Sequence, residues 1–272
     1  MTYAQAVVLG LVQGLTEFLP ISSSGHLILV PRVFGWPDQG LAVDAALHLG
    51  TLAALVAYFR GELIGLLAGT VSRRLGVLVV LATVPAGVVA LLFGPLIQDT
   101  LRWPMLIAFT TAFWGLVMLV ADRLAPPAPD AVRPGAPEVG AQGDPLERVD
   151  WRQGLAVGFA QALALIPGTS RSGITITTGL LAGLDRATAA RYSFLLGIPI
   201  TAAAGLKKAA ELANGELAVS QGGPLVVAIA VSFLSGWFAV WFLVNYLKRR
   251  SLTPFVVYRL ALAALIVAVW YR

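Results

Sequence analysis

Between Gln13 and Leu27 the chain reads Q-G-L-T-E-F-L-P-I-S-S-S-G-H-L, which puts a carboxylate (Glu17), three successive hydroxyls (Ser22, Ser23 and Ser24) and an imidazole (His26) in one short window. These side-chain types serve as base, nucleophile and acid/base in group transfer. Apolar sequence flanks the window on both sides. A charge near a bilayer midplane costs roughly 2.5 to 3.5 kcal/mol on insertion scales, so polarity in such a setting is retained for function and faces a cavity. The plain alternative is a helix end capped by serines at the membrane surface. A partner elsewhere in the chain decides between them.

A second polar string, P-G-T-S-R-S-G from Pro167 to Gly173, is that partner. It presents Gly168, Thr169, Ser170, Ser172 and Gly173 just before a helix predicted to start near Ile174. Oriented backbone N–H groups and the positive end of a helix dipole suit a phosphate. Arg171 adds a two-pronged fork for the same anion. The expectation is a two-loop site in which Gly168 to Gly173 holds phosphate while Glu17, Ser23 and His26 attack it. Such a site requires Glu17 and Arg171 within about 12 Å of each other, the reach of one shared diphosphate and metal.

Composition sets the elements that position these strings. Of 272 residues 58% are hydrophobic and 12% charged, and mean hydropathy is +0.81, which identifies an all-α polytopic membrane protein. The chain has no cysteine, so thiolate catalysis, disulfides and thiolate metal sites are excluded. A net charge of +5 is better explained by basic loops that set topology than by nucleic acid, for which no patch is present. The N-terminus lacks the basic region of a cleavable signal.

The apolar segments Ala4 to Leu19 and Gly25 to Pro31 each fall short of the roughly 20 residues a crossing needs, so they predict a re-entrant hairpin over residues 4–34. Crossings are predicted over Asp44 to Phe59, Val77 to Ile97 with a kink at Pro85, and Trp103 to Ala121, completing a first unit of residues 1–122. Residues 123–150, rich in Pro, Gly and Ala, form a linker without a core of their own. Residues 151–272 repeat the pattern with a hairpin over 154–184 and crossings over Ala189 to Leu206, Pro224 to Leu247 and Thr253 to Trp270. A constant offset of 148 pairs Gly10 with Gly158, Gln13 with Gln161, Ser22 with Ser170, Ser24 with Ser172 and Gly25 with Gly173. An odd number of crossings per half turns the second half upside down, an inverted-topology repeat whose broken helices meet near the midplane. Basic residues gather on one predicted side, among them Arg60, Arg73, Arg74, Arg123, Arg133, Arg148, Arg152, Arg186 and Lys248 to Arg250. Arg32, Arg102, Lys207, Lys208 and Arg272 fall on the other. The first side is therefore expected in the cytoplasm and the mouth of the first hairpin outside.

At these residues the chain resembles the undecaprenyl-diphosphate phosphatase family of bacterial membrane enzymes linked to bacitracin resistance. The family's [E/Q]-x-x-x-E motif stands here as Gln13 to Glu17, followed by Ser22 to His26; its P-G-x-S-R-S-G stands unbroken as Pro167 to Gly173. The segment Ala190 to Ile200 and the hydropathy extend the likeness over nearly the whole chain. The resemblance implies hydrolysis of undecaprenyl diphosphate to undecaprenyl phosphate at the bacterial plasma (inner) membrane, with Ser23 as nucleophile, His26 as acid/base, Glu17 as base or ligand of a divalent cation (Mg²⁺ or Ca²⁺), Arg171 as phosphate clamp, and Ser170, Ser172 and Thr175 as supporting donors. Phosphorylation of His26 instead of Ser23 is the alternative. Gln13 departs from members that carry a second carboxylate; its amide can ligate a metal but cannot be a base. A lipid flippase or transporter is the rival function, because inverted repeats also serve alternating access. A homodimer is left open. His48 either reaches the site or packs on a carbonyl, and Arg191 and Arg259, near helix ends, are expected to snorkel to the interface.

Overall fold

The computed structural model describes residues 1–37, 41–101, 103–126, 144–213 and 222–271, and the regular structure among them is helical throughout. In chain order the helices are α1 (Tyr3–Phe18), α2 (Ser23–Phe34), α3 (Leu41–Tyr58), α4 (Arg60–Ala68), α5 (Arg73–Thr100), α6 (Pro104–Leu124), α7 (Trp151–Leu163), α8 (Arg171–Leu181), α9 (Arg186–Ala213), α10 (Gly222–Leu247) and α11 (Thr253–Trp270), with a 3-10 turn at Pro145–Arg148.

Local chemistry sets the ends of the short helices. α1 opens on a reciprocal cap: the Thr2 hydroxyl accepts from Gln5 N–H while the Gln5 amide oxygen accepts from Thr2 N–H. Asp150 and Gln153 open α7 in the same way. α1 stops at Leu19, whose extended backbone (φ −64°, ψ 139°) is what a following proline imposes. The four helices of the two predicted hairpins are 16, 12, 13 and 11 residues long, each too short to cross alone.

Residues Arg73–Gly94 of α5, together with α6, α10 and α11, are long and apolar enough to cross a membrane. The segment expected to end at Phe59 instead bends by 63° and runs on as α4, so α3 and α4 form a bent apolar pair and not one straight span. Buried Phe59 anchors the bend in the core while Arg60 and Glu62 follow at its polar side. α5 remains continuous through Pro85, and α9 extends past both ends of its predicted crossing. The chain is thus an all-α, multi-pass membrane protein.

Close packing substitutes for a hydrophobic drive within lipid, and small residues make it available. Ala228, Ser232, Ser235, Gly236 and Ala239 form a buried seam on α10, against which α1 and α3 lie. A Cβ on Gly14 of α1 would come within 2.0 Å of Ser235 Oγ, so only glycine permits this approach. α7 approaches α5 as closely: a Cβ on Gly158 would meet the Ala82 carbonyl at 2.3 Å. Ser232 donates to the Leu47 carbonyl and Ser235 to that of Gly10, each bond crossing between helices. α3 packs on α9, and α6 on α11. Outward residues such as Leu91, Leu92 and Phe109 remain exposed, as a lipid-facing surface requires.

Ion pairs close one end of the molecule. Arg186 binds the Asp122 carboxylate at 2.6 Å, and the second oxygen of Asp122 accepts from Leu252 N–H. Arg191 is not a snorkelling residue: it pairs with Glu62 and Asp144, because the bend into α4 and the turn after residue 143 bring both carboxylates to the first turns of α9. Residues 144–149 dock through buried Leu146 and Val149, and Arg74 donates to the carbonyls of Glu147 and Val149. Most of the predicted linker (127–143), together with Arg102, Arg133 and Arg272, lies outside the described residues.

Candidate active site

The breaks between α1 and α2 and between α7 and α8 meet inside the helix bundle. Ser24 Oγ accepts from Gly168 N–H at 3.1 Å, and Ser172 Oγ donates to the Leu19 carbonyl at 3.3 Å, so each turn holds the other. α6 fastens the second turn, with Thr110 donating to the Pro167 carbonyl and Thr111 to that of Gly168. Ser22 (φ 76°) and Ser170 (φ 71°) are the non-glycine residues with positive φ among the described residues, and each stands at the N-cap of the second helix of its pair. Such a conformation costs about 1 to 3 kcal/mol and persists where surrounding contacts over-determine it, typically at functional sites. The contacts here are the Ser22 carbonyl held by His26 Nδ1 and the Ser170 hydroxyl capping Gly173 N–H.

Glu17 is the centre of the constellation. Its Oε2 accepts from Ser23 Oγ at 3.1 Å and from Gln13 Nε2 at 3.3 Å, and its Oε1 accepts from Arg171 Nη2 at 3.4 Å. The Glu17 and Arg171 side chains, 10% and 12% exposed, form an ion pair far closer than the limit set by a shared diphosphate. Arg171 also donates to the Ser193 carbonyl, and its Nε is buried without a partner. A hydroxyl hydrogen-bonded to a carboxylate, with a guanidinium beside both, is an arrangement for activating an oxygen nucleophile against an anion.

These groups line a cavity of about 620 Å³. Glu17, Ser23, Ser24, Ser170 and Arg171 give it a polar lining, whereas Leu9, Leu27, Ile28, Trp36 and Trp270 give apolar walls. Arg32 lines it too, its guanidinium 5.8 Å from the Trp270 ring centroid. The polar lining suits a charged head and the apolar walls an apolar tail.

The other expected site residues stand behind this surface. Gln13, Ser22, Thr169, Ser172 and Thr175 are buried, and Thr175 Oγ1 is bonded to Ser193 Oγ at 2.6 Å. Gly168 (φ +89°) makes a turn in which a Cβ would strike Thr110 Oγ1 at 2.1 Å. Gly173 closes the cap of α8. His26 is also buried. The Ser22 carbonyl can only accept, so Nδ1 carries the proton and Nε2 accepts from the Tyr258 hydroxyl at 2.6 Å. With both nitrogens engaged and the ring stacked on Tyr258, His26 is not among the residues lining the cavity. His48 does line it. Its Nδ1 donates to the Asp44 carbonyl, and its Nε2 stands 3.8 Å from Glu17 Oε2. Both uses weighed for His48 from the sequence thus occur together, a lone imidazole in an apolar helix being the signal.

Sequence reasoning missed Arg259. It does not snorkel: it is fully buried and donates to the carbonyls of Thr111, Pro20, Gly168 and Thr169. Its position in α11 lies about 9 Å along the axis from Thr253, too deep for the side chain to be read as a helix-end residue.

Comparison with known proteins gives the family. The family model described as bacitracin resistance protein BacA matches residues 6–265. A protein of Moorella thermoacetica named undecaprenyl-diphosphatase is 46% identical over 279 residues, covering 100% of both chains. Undecaprenyl-diphosphatase 2 of Stutzerimonas stutzeri is 43% identical and undecaprenyl-diphosphatase of Chromohalobacter salexigens 44% identical, each with 99% of both chains covered. The chain belongs to the bacitracin resistance protein BacA family.

Proposed function

We propose that the chain is an integral membrane phosphatase that hydrolyses undecaprenyl diphosphate to undecaprenyl phosphate and inorganic phosphate, and thereby contributes to bacitracin resistance. The observation that carries this is the Ser23–Glu17–Arg171 contact in a cavity that also has apolar walls. Ser23 Oγ attacks the terminal phosphorus and passes its proton to Glu17. The bond from that phosphorus to the bridging oxygen breaks, and undecaprenyl phosphate leaves with the bond's electrons. Water then hydrolyses the phosphoserine. Arg171, with the N–H groups at the start of α8, holds the charge that gathers on the phosphoryl oxygens. His26, engaged at both nitrogens, fixes the first turn through Ser22 instead of becoming phosphorylated.

A divalent cation, Mg²⁺ or Ca²⁺, fits beside Glu17. Gln13 Oε1 is a buried amide oxygen without a hydrogen-bond partner, next to a carboxylate, and such hard cations take one or two carboxylates together with substrate phosphates. No group of three or more acidic, His or Cys side chains that could hold a metal occurs among the described residues, so Glu17 and Gln13 are the residues that would hold it. Held by Glu17 and Gln13, the cation would supply neutralisation of phosphate charge.

The inverted repeat is supported by matched pairs at the offset of 148. The reciprocal caps Thr2 and Asp150, the strained Ser22 and Ser170, and the contacting pair Thr111 and Arg259 all obey it. Helix packing has the same exchange, α1 on α10 matching α7 on α5. The mouth is assigned to the extracytoplasmic side of the bacterial plasma membrane. Its wall includes Ile97 and Trp270, near the C-terminal ends of α5 and α11, whereas Arg74 and the Asp122–Leu252 contact lie at their N-terminal ends. That second end gathers the basic residues expected in the cytoplasm.

The test is phosphate release from a prenyl diphosphate in detergent. Ser23→Ala and Arg171→Ala each abolish it, and an acid quench during turnover traps acid-stable phosphate on Ser23. Acid-labile label on His26, or turnover by both variants, overturns the assignment.

A further inference from the structure

Arg259 carries a charge at a depth where charge is costly. It is fully buried in α11, and its hydrogen-bond partners are carbonyl oxygens: Thr111 to Nε at 2.9 Å, Pro20 to Nη1 at 3.4 Å, and Gly168 and Thr169 to Nη2 at 3.1 Å each. Among the described residues it forms no ion pair with a carboxylate. Hydrogen bonds satisfy its donors but do not neutralise it, and a buried charge without a counter-ion is retained only where something else offsets its desolvation.

The partners show what offsets it. Pro20 belongs to the break after α1, Gly168 and Thr169 to the turn before α8, and Thr111 to the helix whose hydroxyls fasten that turn. A peptide unit is planar and trans, so turning the Thr169 carbonyl toward Arg259 turns the Ser170 N–H the opposite way. Ser170 is on the cavity wall. Carbonyls repel an anion, and here they are gathered behind the turns on a cation.

We propose that Arg259 is a positioning residue for the phosphate site: by holding the Thr169 carbonyl it keeps the Ser170 N–H toward the cavity, and by tying down the Pro20 and Gly168 carbonyls it fixes both turns and leaves a positive charge behind the bound anion. The proposal rests on the reading that the turn before α8 holds phosphate. The fit around the guanidinium is close. A Cβ on Gly173 would lie 3.0 Å from Nη1, and one on Gly115 of α6 would lie 3.4 Å from Nε.

The experiment measures binding of inorganic pyrophosphate by calorimetry to the full-length protein in detergent, with melting temperature recorded alongside. Arg259→Lys keeps the charge and loses the fork; Gly115→Val, whose Cβ would already stand 3.3 Å from Arg259 Cβ and 3.4 Å from Nε, carries its methyls into the Arg259 side chain from outside the turns. Both bind pyrophosphate more weakly, Arg259→Lys by roughly tenfold, the size expected from losing one charge-assisted contact. A purely structural Arg259 would lower the melting temperature and leave affinity in the folded protein unchanged. Unchanged affinity in folded Arg259→Lys overturns the proposal, and where that variant does not fold, unchanged affinity in Gly115→Val does so. Arg171→Ala separates the two levels: if it too binds pyrophosphate as the parent does, the phosphate-site reading itself fails.

Discussion

Gly197 offers a way to move the phosphate clamp without touching a motif residue. It lies inside α9, where a Cβ would stand 2.4 Å from Arg171 Nη1 and 2.9 Å from Cζ. An ordinary carbon–nitrogen contact is about 3.5 Å, so Gly197→Ala displaces the guanidinium by about 1 Å. Its bonds to Glu17 (3.4 Å) and to the Ser193 carbonyl (3.3 Å) are already at the long end, and such a shift breaks both. A misplacement of about 1 Å at a reacting centre costs on the order of 10²-fold, equivalent to about 2.7 kcal/mol of transition-state stabilisation. The helix itself gains, since alanine is favoured over glycine by about 0.8 to 1 kcal/mol in a helix interior. The expected result is a fall in kcat/KM of about 100-fold for prenyl diphosphate in detergent, with a melting temperature at or above that of the parent. Gly87→Ala, where an added Cβ meets nothing within 4 Å, is the control that retains activity. Parent-like kcat/KM in a folded Gly197→Ala protein would refute the placement of Arg171 against Glu17.

Tyr258→Phe removes the hydroxyl from His26 Nε2 and leaves a buried acceptor unsatisfied, at a cost of about 1 to 3 kcal/mol in stability. Because His26 holds the turn and is not among the residues lining the cavity, kcat is expected to stay within about threefold, whereas loss of most activity with an unchanged melting temperature would give His26 a catalytic role. Removing divalent cations with a chelator reduces turnover, and Glu17→Gln raises the Mg²⁺ concentration that restores half-maximal rate or abolishes activity at every concentration. Asp144 is a pH probe remote from the site: burial alone would raise its pKa, but the Arg191 guanidinium, the Leu146 N–H and the Arg191 charge together hold it below the ordinary carboxylate value. A depressed folded pKa contributes stability that is complete above the unfolded value of about 3.9 and fades as pH falls through the folded one. Asp144→Asn therefore lowers the melting temperature at neutral pH, and the gap to the parent narrows below about pH 4; a gap independent of pH would sink this account.

The sequence disclosed the site where polarity was dense and hid it where polarity was solitary. Glu17, Ser23 and Arg171 stood out because hydroxyls, glycines and charges crowd two short windows that no apolar helix would carry without use. Crowding says nothing about which side of a helix faces a cavity. His26 shares the first window yet turns onto Tyr258, while His48, alone in an apolar helix, reaches Glu17. Their difference is set by what α11 and α3 place opposite them, which spacing within one segment does not encode. The break into α4 was hidden for a similar reason, since Arg60 and Glu62 read equally well as the loop after a finished span.

Arg259 and Thr111 show how a duplicated frame can carry an unequal site. They occupy matching positions 148 apart and touch each other, with Arg259 Nε bonded to the Thr111 carbonyl. Thr111 Oγ1 also bonds the Gly168 carbonyl, so both members of the pair act on the second turn, and only Arg259 reaches back to Pro20 in the first. Neighbouring Thr110 and Tyr258 differ likewise: Thr110 ties down Pro167, Tyr258 ties down His26. Symmetric helices thus bring two similar strained turns together, and the residues that fasten them from behind are where the halves diverge. The charge of Arg259 falls behind the turn that carries Arg171, whereas the carboxylate Glu17 comes from the other half. In the proposed function this biases one turn toward holding an anion and the other toward attacking it.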